Sequence, residues 1–477
     1  MKLSHITAGL QLHHTIDHNF HDLDIKGIAD SSKAVKKDFV FIAIRGYNDD
    51  GHRHIGHAIE NGATAVIGEL QMDGLPVPYL RTENTRKALG IAAKNFYGDP
   101  ASRKTMIGIT GTNGKTTTSY LIRHLLEKNG ISCSVMGTIR NIVNGHSIES
   151  PNTTPSSLIL QQLLASSDDE AVVMEVSSHG LSQHRIEGVE FDICLFTNLQ
   201  HEHLDYHGSM DSYFDAKKIL FNQLKPGGTA IINIDDEWGE KLPLELREKG
   251  RHICSIGQHP SSHIRIRSMD KENSSAVLDD EEETILQSPI AGTHNIYNSL
   301  MAYASALGAG VKKEGMLAAL QVFPGVEGRF ERSEMPNGSV VIVDYAHTPD
   351  AIYHCLTTAK EAGARRVTHI YGFRGDRDTS KRMDILDVSS RLSDHYTLTT
   401  DDLNSSSSQE MESIYQDFNT RFGNDKGQIE MDRSQEGDWI IITGKGHEKY
   451  SHQFSLPTRS DKETIQYLAD GHSSHKI

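Results

Sequence analysis

"ITGTNGKTTT", residues 109–118, decides how the chain is read. An apolar run, "TMIGIT" (105–110), leads into a turn holding Gly111 and Gly114. A helix-forming segment, "KTTTSYLIRHLLEKNG" (115–130), leads away from it. A strand feeding a glycine turn that opens a helix aims free N–H groups at whatever lies above the helix N-terminus. Gly111 and Gly114 let the backbone approach an anion, Lys115 is placed to neutralise β/γ-phosphate charge, and Thr116 to offer its hydroxyl to Mg²⁺. The strict GxxxxGK[ST] spacing asks for glycine where Ile109 stands, so the loop is a variant. Phosphate cradles serve many chemistries, and the loop alone does not say which.

Around the loop, four- to six-residue apolar runs such as "AVVMEV", "ICLFTNL", "TAIINID", "SVVIVDY" and "WIIITGKG" alternate with helix-length amphipathic segments. Such runs, feeding Gly, Thr, Asn or Asp, predict an α/β fold with parallel sheets and functional loops at their carboxyl ends. The 477 residues divide into three expected blocks: 1–104, 105–327 with the glycine loop, and 328–477 beginning near "GVEGRFERSEMPNG". "KENSSAVLDDEEE" (271–283) and "DLNSSSSQE" (402–410) read as solvated loops.

Composition narrows the partners. The net charge is −16 with no basic block, which excludes a nucleic-acid reader. Apolar residues are dispersed, with no run near the roughly 18 needed to span a membrane. Anionic ligands must therefore be held against the overall field by local cations, backbone N–H groups or bound metal. The N-terminus has no apolar h-region, and Cys133, Cys194, Cys254 and Cys355 stand far apart with no CxxC pairing. Both features predict a cytoplasmic protein with reduced thiols. Most of the 27 histidines are scattered and read as surface or hydrogen-bonded residues.

In "VVMEVSSHGLSQHRIEGVEFDICLFTNLQHEHLDYHG", Glu175 ends one apolar run and His203 closely follows another. If those strands are neighbours, a carboxylate and an imidazole converge beside the phosphate loop, which suits a divalent cation bridging nucleotide and substrate. The alternative for "HEHLDYH" is a polar loop rich in capping residues.

Taken in order, "TGTNGKTT", "NTTP", "EVSSHGLSQHR", "FTNLQHEHLDYHG", "YFDAKKILF", "HNIYN", "GRFE", "DYAHTPD", "GDRD" and "TGKGHE" span residues 110–448 and resemble the Mur ligase family. These ATP-dependent amide-forming enzymes build peptidoglycan precursors, and the match looks most like the branch that adds the third stem-peptide residue. The N-terminal "IADSSKAVKKDFVFIAIRGYNDDGH" resembles the family's UDP-binding domain more loosely. The resemblance implies three domains: a UDP-substrate domain, a central P-loop-type parallel-sheet domain and a Rossmann-like C-terminal domain. It implies activation of a carboxylate of UDP-MurNAc-L-Ala-D-Glu as an acyl phosphate, displaced by the amine of a free amino acid, in a monomer using ATP and Mg²⁺.

By the same resemblance Gly111, Thr112, Asn113, Gly114, Lys115, Thr116 and Thr117 hold the triphosphate, while Thr116, Glu175 and His203 ligate Mg²⁺. Lys217 matches a lysine the family carbamylates, although the sequence alone reads it as a surface lysine on a helix. Asn295 corresponds to the adenine contact, and Arg329 and Asp344 to nucleotide contacts from the third domain. Ser31, Thr153, Thr154, Ser177, Gln183 and Arg185 match UDP-sugar-dipeptide positions; Arg382, Gly444 and Glu448 match amino-acid contacts.

Departures fall in the amino-acid pocket. "TTDDLNSSSS" places Asp402, Leu403 and Asn404 where the meso-diaminopimelate branch carries Asn-Pro-Arg, which disfavours that amino acid and leans toward a cationic one. Glu202 also stands where an aspartate usually precedes His203. Two rival readings keep the loop but change the outcome: an amide ligase acting on a different carboxylate, and a nucleotide-binding regulator without ligation.

Overall fold

The structure, a computed structural model, describes residues 1–13, 18–46, 49–280, 282–373, 381–400, 433–450 and 457–470. Its frame is three sheets. The first is fully parallel, in the order β1 (Gly27–Ala29), β2 (Phe39–Ile42), β3 (Ala63–Gly68), β4 (Tyr79–Arg81). Its core is built from Val40, Ile42, Ala65 and Ile67 against Leu89 and Ala92.

The second sheet is built around β5 (Thr105–Thr110), which is flanked by β9 (Ala171–Glu175) and β10 (Phe191–Phe196). These three strands are buried along nearly their whole length, as parallel strands covered on both faces must be. Beyond β9 come β6 (Cys133–Met136), β7 (Asn141–Val143) and β8 (His146–Ile148). Beyond β10 come β11 (Leu224–Asn233), β12 (His252–Gly257) and β13 (Ile264–Asp270), then β14 (Ser275–Asp280) and β15 (Glu282–Gln287). Pairing is parallel from β6 to β13 across the sheet and antiparallel at both outer ends.

Successive residues of β5 serve opposite cores. Ile107 and Ile109 pack with Leu121, Leu125, Leu195 and Leu300 on one face, whereas Met106 packs with Met174, Phe191, Cys194 and Phe196 on the other. The Lys115–Lys128 and Thr293–Gly308 helices cover the first of these faces.

The third sheet runs β16 (Glu331–Glu334), β17 (Val340–Asp344), β20 (Asp438–Thr443), β18 (Arg366–Phe373), β19 (His395–Thr400). It is parallel except for the β16–β17 pair.

Two expectations are corrected. The stretch 271–283 is no solvated loop: after a turn at 271–274 it carries β14 and the start of β15, because Ala276 and Leu278 alternate into the core, followed in the same phase by Asp280, which bonds Tyr303 and Lys313, while Asp279 points outward. The strands ending at Glu175 and preceding His203 are not neighbours. They lie on either side of β5, so the carboxylate and the imidazole approach the glycine loop from opposite flanks. The segment 402–410 lies outside the described residues. None of the four cysteines is in a disulfide. Among the described residues no helix is long and apolar enough to cross a membrane.

Leu125 is fully buried in the core under the glycine loop, whereas Leu244 is 69% exposed. Leu125→Ala is expected to cost about 2–5 kcal/mol of stability, and Leu244→Ala no more than about 0.5 kcal/mol. Urea unfolding followed by fluorescence checks the contrast, and equal losses would contradict this assignment of the core.

Candidate active site

The glycine loop leaves β5 at Thr110 and enters the Lys115–Lys128 helix through Gly114. Gly111 (φ +148°) and Gly114 (φ +87°) take backbone conformations open to glycine. A Cβ at Gly111 would run into the Thr197 hydroxyl, and one at Gly114 into the Asn298 side chain. The loop is moulded from below by the segment that follows β10. Thr112 N donates to Asn198 O (2.9 Å) and Asn113 N to Asn198 Oδ1 (2.9 Å). Thr197 Oγ1 donates to Asn113 O (2.7 Å), and Gln200 N to Thr112 Oγ1 (2.9 Å). These bonds occupy outward-facing groups of the loop and leave the helix N-terminus open.

Two amines meet beneath the loop. Lys115 Nζ donates to Gly111 O and Thr112 O, both at 2.8 Å. Lys217 Nζ donates to the same Gly111 O at 2.8 Å and lies 4.5 Å from the centre of the Tyr213 ring. Lys217 is 1% exposed, so the expectation of a surface lysine is overturned. Its helix, Met210–Asn222, turns Tyr213, Phe214, Lys217, Leu220 and Phe221 inward, and the lysine follows the apolar stripe. Burial, and then the charge of Lys115, push the Lys217 amine well below the usual lysine range. Burial likewise lowers Lys115, against the pull of Glu175 and Glu202.

Glu175, fully buried at the end of β9, accepts from Thr116 Oγ1 (2.9 Å), Thr138 Oγ1 (2.8 Å) and Thr138 N (3.1 Å). His203 sits in a left-handed conformation (φ +56°), its ring 4.8 Å from that of His179. Burial lowers the His203 imidazole to about 4, leaving it neutral near pH 7 with a nitrogen lone pair to offer. Glu202 is also buried. Burial would raise its carboxyl, but the His347 hydrogen bond and nearby positive charges hold it well below the usual carboxylate range.

The third sheet closes over the loop. Arg329 Nη2 donates to Thr116 Oγ1 (3.2 Å) and its guanidinium lies 4.5 Å from the Tyr345 ring centre. Asp344, at the end of β17, accepts from Phe330 N (2.6 Å) and Ala346 N (2.7 Å), fixing the turn that carries Arg329. Two cavities adjoin the loop. One of about 400 Å³ is lined by Lys115, Thr116, Glu175, His203, Arg329 and Arg382, among others. The second, about 320 Å³, is lined by Thr117, Asn295, Asn298, Arg329 and Asp344 with their neighbours. Gly114, Asn113 and Arg329 border both.

The structure thus brings Thr112, Asn113, Gly114, Lys115, Thr116, Thr117, Glu175 and His203 to one cleft, with Gly111 and Lys217 just beneath. Thr153, Ser177, Arg382 and Gly444 line the larger cavity. Thr154, Gln183 and Arg185 stand behind that wall: Arg185 donates to Thr154 O (2.8 Å) and to Gln183 Oε1 (2.9 Å). Glu448 accepts from Tyr345 OH (3.1 Å) and lines neither cavity. Ser31 is exposed beside the first sheet and lines neither. Asp402 and Asn404 lie outside the described residues. Thr138, Asn198, Tyr213, Lys381, Tyr345 and His347 join the site although sequence reasoning assigned them nothing; Asn198 and Tyr213 stand inside quoted motifs, where a polar residue beside a phosphate loop was the available signal.

Comparison with known proteins agrees with this arrangement. Residues 24–97 match the Mur ligase family catalytic domain, 109–306 the Mur ligase middle domain, and 328–446 the Mur ligase glutamate ligase domain. The chain is 37% identical over 447 residues to the UDP-N-acetylmuramoyl-L-alanyl-D-glutamate–2,6-diaminopimelate ligase of Clostridium botulinum, covering 90% of this chain and 91% of that one. The ligase of the same name from Bacillus velezensis is 33% identical over 474 residues, at 94% and 95% coverage. A solved structure of such a ligase superposes with a TM-score of 0.73 at 26% identity, covering 99% of both chains. The MurF ligase of Thermotoga maritima in complex with ADP shares the fold, with a TM-score of 0.61 at 19% identity and 88% and 94% coverage. An ordered set of motifs, a glycine loop clasped by a third sheet, and relatives matched from end to end lead to one conclusion: this chain belongs to the Mur ligase family.

Proposed function

We propose that the chain joins an amino acid to UDP-MurNAc-L-Ala-D-Glu at the expense of ATP, making a peptidoglycan precursor. The observation that carries this reading is the meeting of Lys115, Lys217, Glu175 with Thr116, and Arg329 around one glycine loop between two cavities. The cavity with Asn295 and Asp344 suits the nucleoside, and the larger one suits the acceptor carboxylate and incoming amine.

ATP's γ-phosphoryl group passes to the acceptor carboxylate and ADP leaves; the amine then adds to the acyl phosphate and phosphate departs. No side chain acts as a covalent nucleophile. The protein's part is to hold the reactants and offset charge that develops between them. The N–H groups of Gly114 to Thr116 and the Lys115 amine cradle the phosphates, and Arg329 brings a second cation when the third sheet lies over the loop.

The donor set fits Mg²⁺. A buried carboxylate (Glu175), a hydroxyl bonded to it (Thr116), and a neutral imidazole (His203) line one cavity beside the glycine loop and would hold the cation there. Lys217 would complete the set as a carbamate, an oxygen ligand that forms from CO₂ only on a neutral amine, the form its burial favours. A dication held there would supply positive charge to offset that of the phosphates.

The amino acid is where the lines of support diverge. The relatives' names specify 2,6-diaminopimelate, whereas Asp402, Leu403 and Asn404 favour a cationic side chain such as lysine or ornithine.

Purified protein with UDP-MurNAc-L-Ala-D-Glu, Mg·ATP and a panel of amino acids is expected to release ADP in an amino-acid-dependent way. Silence across the panel, with diaminopimelate included, overturns the reading. Lys115→Ala is expected to lower kcat/KM by about 10²–10³-fold. Lys217→Ala is expected to abolish turnover and the carbamate signal seen by ¹³C NMR in labelled bicarbonate, and Lys217→Arg restores neither. A fully active Lys217→Arg enzyme would remove the carbamate from the scheme.

A further inference from the structure

We propose that Glu202 is a positioning residue for domain closure: from the loop carrying His203 it grips His347 beside the third sheet and holds the cavity's edge shut. The inference rests on the ligase reading above for what closure accomplishes, but the contact itself is independent of that reading.

Glu202 Oε1 lies 3.1 Å from His347 Nε2, and Oε2 lies 3.8 Å from His203 Nε2. One carboxylate therefore stands between imidazoles of two structural units, and all three residues line the larger cavity. The Glu202 side chain is 8% exposed and that of His347 is 47% exposed. His347 Nδ1 is 2.9 Å from Tyr345 O, so both ring nitrogens face oxygens that only accept. The ring is thereby held between Tyr345 on its own unit and Glu202 across the gap.

Other contacts cross the same gap: Asn113 to Asp350 at 3.4 Å, Arg329 to Thr116 at 3.2 Å, and Arg140 to Glu327. The Arg140–Glu327 partners are both more than a third exposed and return to water. Separation of Glu202 from His347 takes away the carboxylate's closest partner and leaves it the more distant His203 and the charges of Lys115 and Lys217 on its own side of the gap. Withdrawal of the third sheet thus opposes itself at the point beside His203 where the acceptor is activated.

The test is a double-mutant cycle on the full chain: wild type, Glu202→Ala, His347→Ala and the pair, with Glu202→Gln as a shape-conserving variant. Activity, Mg²⁺ half-saturation, melting temperature, and the radius of gyration with and without Mg²⁺ and a non-hydrolysable ATP analogue are measured. Each single alanine change is expected to lower kcat about tenfold, while KM for ATP moves by less than about threefold. The double variant is expected to be no worse than the worse single, and nucleotide-induced compaction to be lost in all three. Glu202→Gln follows the same direction more weakly, which covers failure of an alanine variant to fold. Additive losses, or full compaction in the variants, overturn the proposal. So does a raised Mg²⁺ requirement in Glu202→Ala that His347→Ala does not share, since the carboxylate would then be serving the metal. A wild type that compacts through a coupled pair yet ligates nothing refutes the ligase reading and leaves this one standing.

Discussion

Two lysine amines share one carbonyl oxygen, and the active site is arranged around that crowding. Lys115 and Lys217 both donate to Gly111 O, and Lys217 has the Tyr213 ring on its other side and 1% exposure to water. Two ammonium groups so close, with one of them dry, repel each other and lose hydration together; the more buried one gives up its proton more readily. The glycine loop therefore does more than face phosphate. Its underside sorts two chemically identical side chains, which on the reading proposed above makes Lys115 the nucleotide's cation and Lys217 the amine that reacts. Tyr213 fixes the geometry, with its hydroxyl 3.2 Å from Thr112 Oγ1 and its ring under Lys217.

Sheet order makes this possible. Because β5 lies between β9 and β10, the loop after β5 is reached by Glu175 from one side and by the Thr197–His203 segment from the other. Strands that were direct neighbours would have delivered carboxylate and imidazole to the same side of the loop. The third sheet then adds Arg329 from above, on a turn whose shape is set by Asp344 accepting two backbone N–H groups. Asp344 thus borders the second cavity while also holding the turn in place.

How much of this was legible follows from how local each signal was. "TMIGIT" and the helix from Lys115 announced themselves, because strand, glycine turn and helix all lie within about twenty residues and their periods agree. Glu175 and His203 were recognisable as ends of apolar runs, but their placement on opposite flanks of β5 depends on pairing across the sheet. Lys217 was hidden by its own chemistry: a lysine in a polar-looking helix is read as exposed, and only the neighbours Tyr213, Phe214 and Phe221 mark the stripe it shares. The hairpin in 271–283 was hidden by charge, since Asp and Glu on its open face outweighed the alternation of Ala276 and Leu278. Contacts such as Glu202 to His347, 145 residues apart, leave no trace in local pattern at all.

The same site resolves a conflict posed by composition. A chain of net charge −16 repels a nucleotide and a nucleotide sugar alike. Around the larger cavity the described lining holds four cations, Lys115, Arg329, Lys381 and Arg382, against three acids, Glu175, Glu202 and Asp205, a formal 4 − 3 = +1 with histidines neutral. That balance removes the repulsion locally but does not offset a triphosphate. On the proposed reading the rest would come from oriented backbone N–H groups at the Gly114 turn and from a dication held by Glu175 and its partners. A surplus of fixed lysines would have held ADP and phosphate as firmly as ATP.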